Sequence, residues 1–117
     1  MARVVAFIPD LLFGSNVLGA LNAAGHETVL VSDPQAIHRE LGGAQVLVVD
    51  LTVDPESRIA LLSAIPHDTV KTLAFYSHVE ADVRAQAERA GFDLVIPRSR
   101  MAREGAGLIG RLIEGPS

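Results

Sequence analysis

The chain has 117 residues, 49% of them hydrophobic, no cysteine and a formal net charge of −4 at pH 7. This length favours one domain over residues 1–117, and no apolar stretch approaches the roughly 20 residues that a membrane span needs. The absence of cysteine excludes disulfides and sulfur-ligated metal sites, and the acidic balance with few aromatic residues disfavours nucleic-acid binding.

Strand-like and helix-like segments alternate along the first part of the chain. Residues 3–8 are almost all apolar and predict a buried strand. Apolar residues at helical spacing then predict a helix over 13–24, which Gly25 ends. A second β-branched run, 27–32, predicts the next strand, and a short helix to Leu41 follows it.

Two helices are predicted to begin with the same pair of residues, an aspartate followed by a proline. Asp33-Pro34 and Asp54-Pro55 both match an N-cap acid with proline at the first helical position. We therefore expect both aspartates to cap helices and to take no part in chemistry. The helix after Asp54 is predicted to end at Pro66.

The same alternation continues to the end of the chain. Further strands are predicted over 44–51, 70–76 and 92–97, and a polar helix over 80–90. A last helix over 101–113 has a clear apolar face. It also contains three glycines, each of which costs about 1 kcal/mol relative to alanine in a helix interior: Gly105, Gly107 and Gly110.

Five strand–helix units in this length predict an α/β fold with one doubly wound, five-stranded parallel sheet. The expected strand order is 2-1-3-4-5, a flavodoxin-like three-layer sandwich with its switch point between strands one and three. In such folds the ligand-binding residues lie at the carboxyl edge of the sheet. The residues that directly follow the strands are therefore the candidates for function.

Asp50 is the most conspicuous residue at this predicted edge. It directly follows the unbroken apolar run 46–49, which is typical of a strand buried on both faces. Asp10 follows the first strand, Ser77 the fourth and Arg98 the fifth. We expect these four side chains to converge. Two of them have a structural alternative: Asp50 can accept backbone N–H bonds from the loop that follows it, and Asp10 can cap the first helix.

With an aspartate at the end of the third strand, the chain from Arg3 to Ile113 resembles the receiver domain of two-component response regulators, the chemotaxis-type or CheY-like family. The resemblance implies that Asp50 is the phosphoacceptor. It also implies that Asp10 and Asp50 bind magnesium, and that Ser77 and Arg98 contact the phosphoryl group.

Several positions depart from the pattern of this family. The acidic pair after the first strand is represented only by Asp10, one place late. The hydroxyl position falls on Tyr76, with Ser77 next to it. The family's lysine is replaced by Arg98, which keeps the charge but exchanges a compact ammonium for a planar fork, and Ser99 follows where proline is usual.

These departures favour an atypical, stand-alone receiver-like domain, a pseudo-receiver. Its predicted role is signalling through protein association, without enzyme activity and with phosphorylation absent or inefficient. The alternative is a working receiver in a phosphorelay, in which a histidine kinase or a small phosphodonor phosphorylates Asp50 and magnesium is the cofactor. A small enzyme or ligand-binding domain has less support, because no nucleophile–base pair is visible.

The expected partner is a protein, either the kinase or a downstream output protein. Three consecutive apolar residues, 11–13, are predicted to lie in a loop after the first strand. They would form either a lid over the site or a contact with a partner or second subunit. A homodimer through this loop, or through the last two helices and fifth strand, is a further expectation.

The remaining features are assigned no role in the site. The histidines are interpreted as structural or solvent-exposed, and residues 115–117 as a frayed end. No secretory signal precedes the first strand, so a cytoplasmic location is expected. The four histidines are His26, His38, His67 and His78.

Overall fold

A computed structural model describes residues 2–66 and 68–114, in which five strands alternate with five helices. The strands are β1 (Arg3–Phe7), β2 (Glu27–Val31), β3 (Val46–Asp50), β4 (Lys71–Tyr76) and β5 (Leu94–Pro97). The helices are α1 (Leu11–Ala23), α2 (Pro34–Glu40), α3 (Pro55–Ala60), α4 (Ala81–Ala90) and α5 (Arg98–Glu114). His67 and the frayed end predicted over 115–117 lie outside the described residues.

The five strands form one parallel sheet in the order β2-β1-β3-β4-β5, which confirms the predicted topology. Helices α1 and α5 pack on one face, and α2, α3 and α4 on the other. In the central register Val5 lies opposite Val29 on one side and Leu47 on the other. None of the helices in the described ranges is both long and apolar enough to cross a bilayer.

The hydrophobic core consists of two layers separated by the sheet. Strand β3 contributes to both, because its side chains point alternately to opposite faces. Val46 and Val48 lie in the layer under α1 and α5, and Leu47 and Val49 in the layer under α2 to α4. This two-sided burial explains why β3 reads as an unbroken apolar run.

Helix α1 begins two residues earlier than predicted, so the prediction of a loop over 11–13 is wrong. Leu11, Leu12 and Phe13 form the first turn of the helix, and Asp10 is its N-cap. The Asp10 carboxylate accepts a hydrogen bond from the Phe13 backbone N–H at 3.1 Å. The cap satisfies a free N–H at the helix start and fixes that start despite the exposed apolar residues.

The two aspartate–proline pairs behave differently. Asp33 caps α2 as predicted, accepting a hydrogen bond from the Ala36 N–H at 2.8 Å. Asp54 makes no side-chain cap and adopts a left-handed conformation, with φ 47° and ψ 51°. Aspartate tolerates this conformation better than most residues. Helix α3 is also shorter than predicted, and the chain continues as a 3₁₀ turn, Leu61–Ala64.

Helix α5 begins at Arg98, three residues before its predicted start, and follows β5 without a loop. Its apolar face is buried as expected, with Met101, Leu108 and Ile109 in the core. The glycine at position 105 has a packing reason, because a Cβ there would come within 3.0 Å of the Met101 side chain. Gly107 has no such neighbour.

Replacing Gly107 with alanine is expected to raise the free energy of unfolding by about 1 kcal/mol, since alanine restricts the unfolded chain and favours helix. The site is exposed, and a Cβ would meet nothing within 4 Å. Urea unfolding measures the change. Gly25→Ala is the matched control: its Cβ space is equally empty, but its φ of +92° should make the substitution destabilising. Equal effects of the two substitutions would contradict this explanation.

Candidate functional site

The carboxyl edge of the sheet brings the four predicted site residues to one end of the molecule. Asp50 is the last residue of β3, Asp10 lies between β1 and α1, Ser77 follows β4, and Arg98 is the first residue of α5. Their contacts divide them into separate groups. Asp50 bonds to residues of its own loop and of α3, whereas Asp10 and Arg98 contact each other.

The Asp50 carboxylate is buried and already hydrogen-bonded. The residue is only 3% exposed. Its Oδ1 accepts two hydrogen bonds from Thr52, one from the backbone N–H at 2.8 Å and one from the hydroxyl at 2.6 Å. This is the local turn that aspartate commonly forms with a residue two positions later. Oδ1 is therefore bound within the loop.

Arg58 of α3 provides the positive charge beside Asp50. Its Nη1 donates to the Asp50 backbone carbonyl at 2.8 Å and lies 3.9 Å from Oδ2. The guanidinium also stacks over the Phe7 ring at 5.0 Å, and the side chain is 13% exposed. A buried carboxylate requires such compensation, because an isolated charge away from water is very costly.

Asp10 and Arg98 form a second, more exposed group at the same edge. Oδ1 of Asp10 caps α1, and Oδ2 accepts a hydrogen bond from Arg98 Nη2 at 3.4 Å. The Arg98 guanidinium lies over the Phe13 ring at 4.3 Å, and Phe13 packs against Phe75 at 5.2 Å. Both charged side chains are about half exposed, so the pair contributes no more than about 1 kcal/mol.

Ser77 is half-buried after β4, and its backbone carbonyl accepts a hydrogen bond from the Glu80 N–H at 2.8 Å. Tyr76, to which the resemblance assigns the hydroxyl position, is buried in the core layer under α2 to α4. His78 is exposed. The structure places Ser77 at the predicted edge, and its contact with a phosphoryl group stays a prediction.

The two carboxylates that the resemblance assigns to magnesium, Asp10 and Asp50, are each engaged by other side chains. Within residues 2–66 and 68–114, no cluster of three or more His, Asp or Glu side chains is placed to hold a metal ion. Magnesium needs near-octahedral oxygen ligands, usually one or two carboxylates with waters and phosphate oxygens. Here Asp50 is bound by Thr52 and faces Arg58, while Asp10 is bound to Arg98. Asp10 as a metal ligand stays an expectation from the resemblance.

Neither of the two residues that hold Asp50 was named from the sequence, although the structural alternative for Asp50, an acceptor for backbone N–H groups of the next loop, agrees with the Thr52 N–H bond. Thr52 had a recognisable local signal, since a hydroxyl residue two places after an aspartate is typical of a side-chain-stabilised turn. Arg58 had none. It lies eight residues from Asp50, and its contact depends on how α3 packs against β1 and β3.

The fold is widely shared among solved structures. No protein-family model and no curated protein sequence matches the chain. A response regulator from Thermotoga maritima is 16% identical, with a TM-score of 0.83, over 98% of this chain and 99% of that chain. NtrX from Brucella abortus, solved in complex with ADP, is 20% identical with a TM-score of 0.83, over 97% of this chain but only 26% of that chain.

A third similar structure is described as an atypical orphan response regulator with a phosphorylation-independent regulatory mechanism. It is 14% identical, with a TM-score of 0.78, over 98% of both chains. At these identities the comparisons establish the fold, and they confirm the resemblance predicted from the sequence at that level. This chain has the fold of response-regulator receiver domains.

Proposed function

We propose that this protein is an atypical receiver-like signalling domain that acts by associating with another protein, with phosphorylation of Asp50 absent or inefficient. The observation that carries the proposal is the state of the Asp50 carboxylate, which is 3% exposed and held by Thr52 and Arg58.

Phosphoryl transfer to a carboxylate requires a free oxygen lone pair aligned with the phosphorus atom. It also requires positive charge around the equatorial phosphoryl oxygens. Asp50 Oδ1 accepts the two hydrogen bonds from Thr52, and Oδ2 lies 3.9 Å from Arg58 Nη1 in a residue that is 3% exposed. A phosphodonor would have to open this buried site to reach Oδ2. The resulting barrier would make the reaction slow.

The comparison with the atypical orphan response regulator adds support at the level of fold. That protein is described as regulated independently of phosphorylation, so the fold is compatible with such a mechanism. The proposed role is signalling rather than catalysis, as the resemblance to receiver domains implies. The cytoplasmic location and a homodimer through α4, β5 and α5 stay predictions.

The alternative is a working receiver, and the placement of Asp50 favours it. Asp50 is the last residue of β3, opposite Phe75 of β4, with Ser77 and Arg98 at the same edge. In this case a histidine kinase or small phosphodonor would phosphorylate Asp50 with magnesium at Asp10 and Asp50. Ser77 and Arg98 would then stabilise the product.

Incubation with magnesium and acetyl phosphate or phosphoramidate distinguishes the two functions. Intact-mass measurement is expected to show no stoichiometric adduct of about 80 Da, the mass of one phosphoryl group. A conventional receiver treated in parallel verifies the phosphodonor. A stoichiometric adduct that disappears in Asp50→Asn would establish the working receiver instead. An adduct that persists in Asp50→Asn lies on another residue and leaves the proposal standing.

A further inference from the structure

The strongly exposed large hydrophobic side chains of the described residues all lie at the carboxyl edge of the sheet. They are Leu11 at 73% exposure, Leu12 at 77%, Val53 at 56% and Val79 at 76%. They follow β1, β3 and β4, which are adjacent in the sheet, so three separate segments place them at the same edge. We call these four residues the apolar edge. Exposed hydrophobic groups gathered in this way mark interaction sites.

Packing within the domain does not account for the apolar edge. In the first turn of α1, the Asp10 cap and the packed ring of Phe13 fix the helix, while Leu11 and Leu12 point to solvent. Val53 and Val79 lie in loops, where polar residues are usual. Polar side chains would serve the fold equally well at these positions.

Acidic residues accompany the apolar edge. Asp54 and Glu56 follow Val53, and Glu80 and Asp82 follow Val79. The first turns of α3 and α4 favour Glu56 and Asp82 through the helix dipole.

Asp54 and Glu80 are at the N-cap positions of these helices, and their carboxylates make no capping bond. None of the four acids forms an ion pair within the described part of the chain, and the arginines at this edge are already engaged. Arg58 faces Asp50, Arg98 pairs with Asp10, and Arg100 pairs with Glu104. The edge therefore offers apolar groups together with unpaired negative charge.

We propose that the apolar edge binds a segment of another protein in which aliphatic side chains are flanked by lysine or arginine, such as a basic amphipathic helix. The inference rests on the association function proposed above and names the chemistry of the partner. Aliphatic anchors supply burial, and electrostatic complementarity supplies orientation and specificity. A second copy of this chain is a poorer occupant, because a two-fold dimer through this edge would set the same acids against each other.

Binding of a labelled amphipathic Leu/Lys peptide, measured by fluorescence anisotropy, tests the surface. We expect Leu12→Ser/Val79→Ser and Glu80→Gln/Asp82→Asn each to weaken binding about tenfold. Asp68→Asn/Glu114→Gln makes the same charge change with exposed acids at the opposite edge and should leave binding unchanged. Unchanged urea midpoints verify that all variants fold.

Three binding results would overturn the proposal. The first is an equal loss of peptide affinity in the two acid-to-amide pairs. The second is no loss of affinity in Leu12→Ser/Val79→Ser, and the third is a Leu/Glu peptide that binds as tightly as the Leu/Lys peptide. A wild-type dimer in sedimentation that Leu12→Ser abolishes would also overturn it, in favour of a second copy. Failure of this proposal is distinguishable from failure of the proposed function. The phosphorylation test measures a phosphoryl adduct on Asp50, whereas the peptide test measures binding at the apolar edge.

Discussion

Arg58→Met is expected to lower the free energy of unfolding by about 3 kcal/mol, because it leaves the buried Asp50 carboxylate without its compensating charge. Methionine approximates the length of the arginine stem and limits the loss to the guanidinium. The measurement is urea unfolding at neutral pH. Arg84→Met is the matched control, since Arg84 forms an exposed helix pair with Glu88, and its loss should cost less than about 0.5 kcal/mol.

A double-mutant cycle isolates the interaction between Arg58 and Asp50. Asp50→Asn removes the buried negative charge while keeping an acceptor for the Thr52 donors. The cost of Arg58→Met should therefore fall when it is introduced into the Asp50→Asn variant. A cost that is the same in both backgrounds would show that Arg58 stabilises the domain through its contacts with Phe7 and the Asp50 carbonyl alone.

Phe75→Ala is expected to cost about 3 to 5 kcal/mol, the range for truncating a fully buried aromatic residue. Phe75 is completely buried in β4, opposite Asp50 of β3, and its ring packs against Phe13. Because small domains are stable by only about 5 to 15 kcal/mol, Phe75→Leu provides a milder variant if the alanine variant does not fold.

Two control substitutions, both measured by urea unfolding, test whether the cost of Phe75→Ala comes from its burial. Leu12→Ala removes an exposed apolar side chain of the same helix turn as Phe13, and should change stability by less than about 0.5 kcal/mol. Phe13→Ala should cost an intermediate amount, since Phe13 is half-buried. The assignment of Phe75 to the core would be contradicted if its truncation cost no more than that of Leu12.

Local sequence patterns predicted most of the strands and helices, because these elements depend mainly on the residues within them. The apolar run before Asp50 identified β3, and Gly25, which has a positive φ, marked the end of α1. Boundaries were less predictable where two signals competed. The apolar residues after Asp10 indicated a loop contact, but the Asp10 cap extended α1 over them. Asp54 matched a cap pattern and adopted a left-handed turn instead.

The position of the candidate site was predicted from the sequence, but the contacts between its side chains were not. The carboxyl ends of parallel strands lie at one edge of the sheet, independently of side-chain contacts. The strand order alone therefore placed four residues at this edge: Asp10, Asp50, Ser77 and Arg98. Pairing between them depends on side-chain reach across neighbouring elements. Arg98 of α5 contacts Asp10 and not Asp50, a choice that no local pattern indicates.

By itself, the sequence determined the strands, the two-sided burial of β3 and the place of Asp50 at its end, since hydrophobic periodicity is a property of segments. The strand order followed from the number of strand–helix units. Only the tertiary structure decided what surrounds that carboxylate. Arg58 reaches Asp50 because α3 packs beside the ends of β1 and β3, and the apolar edge exists because three segments distant in sequence end side by side.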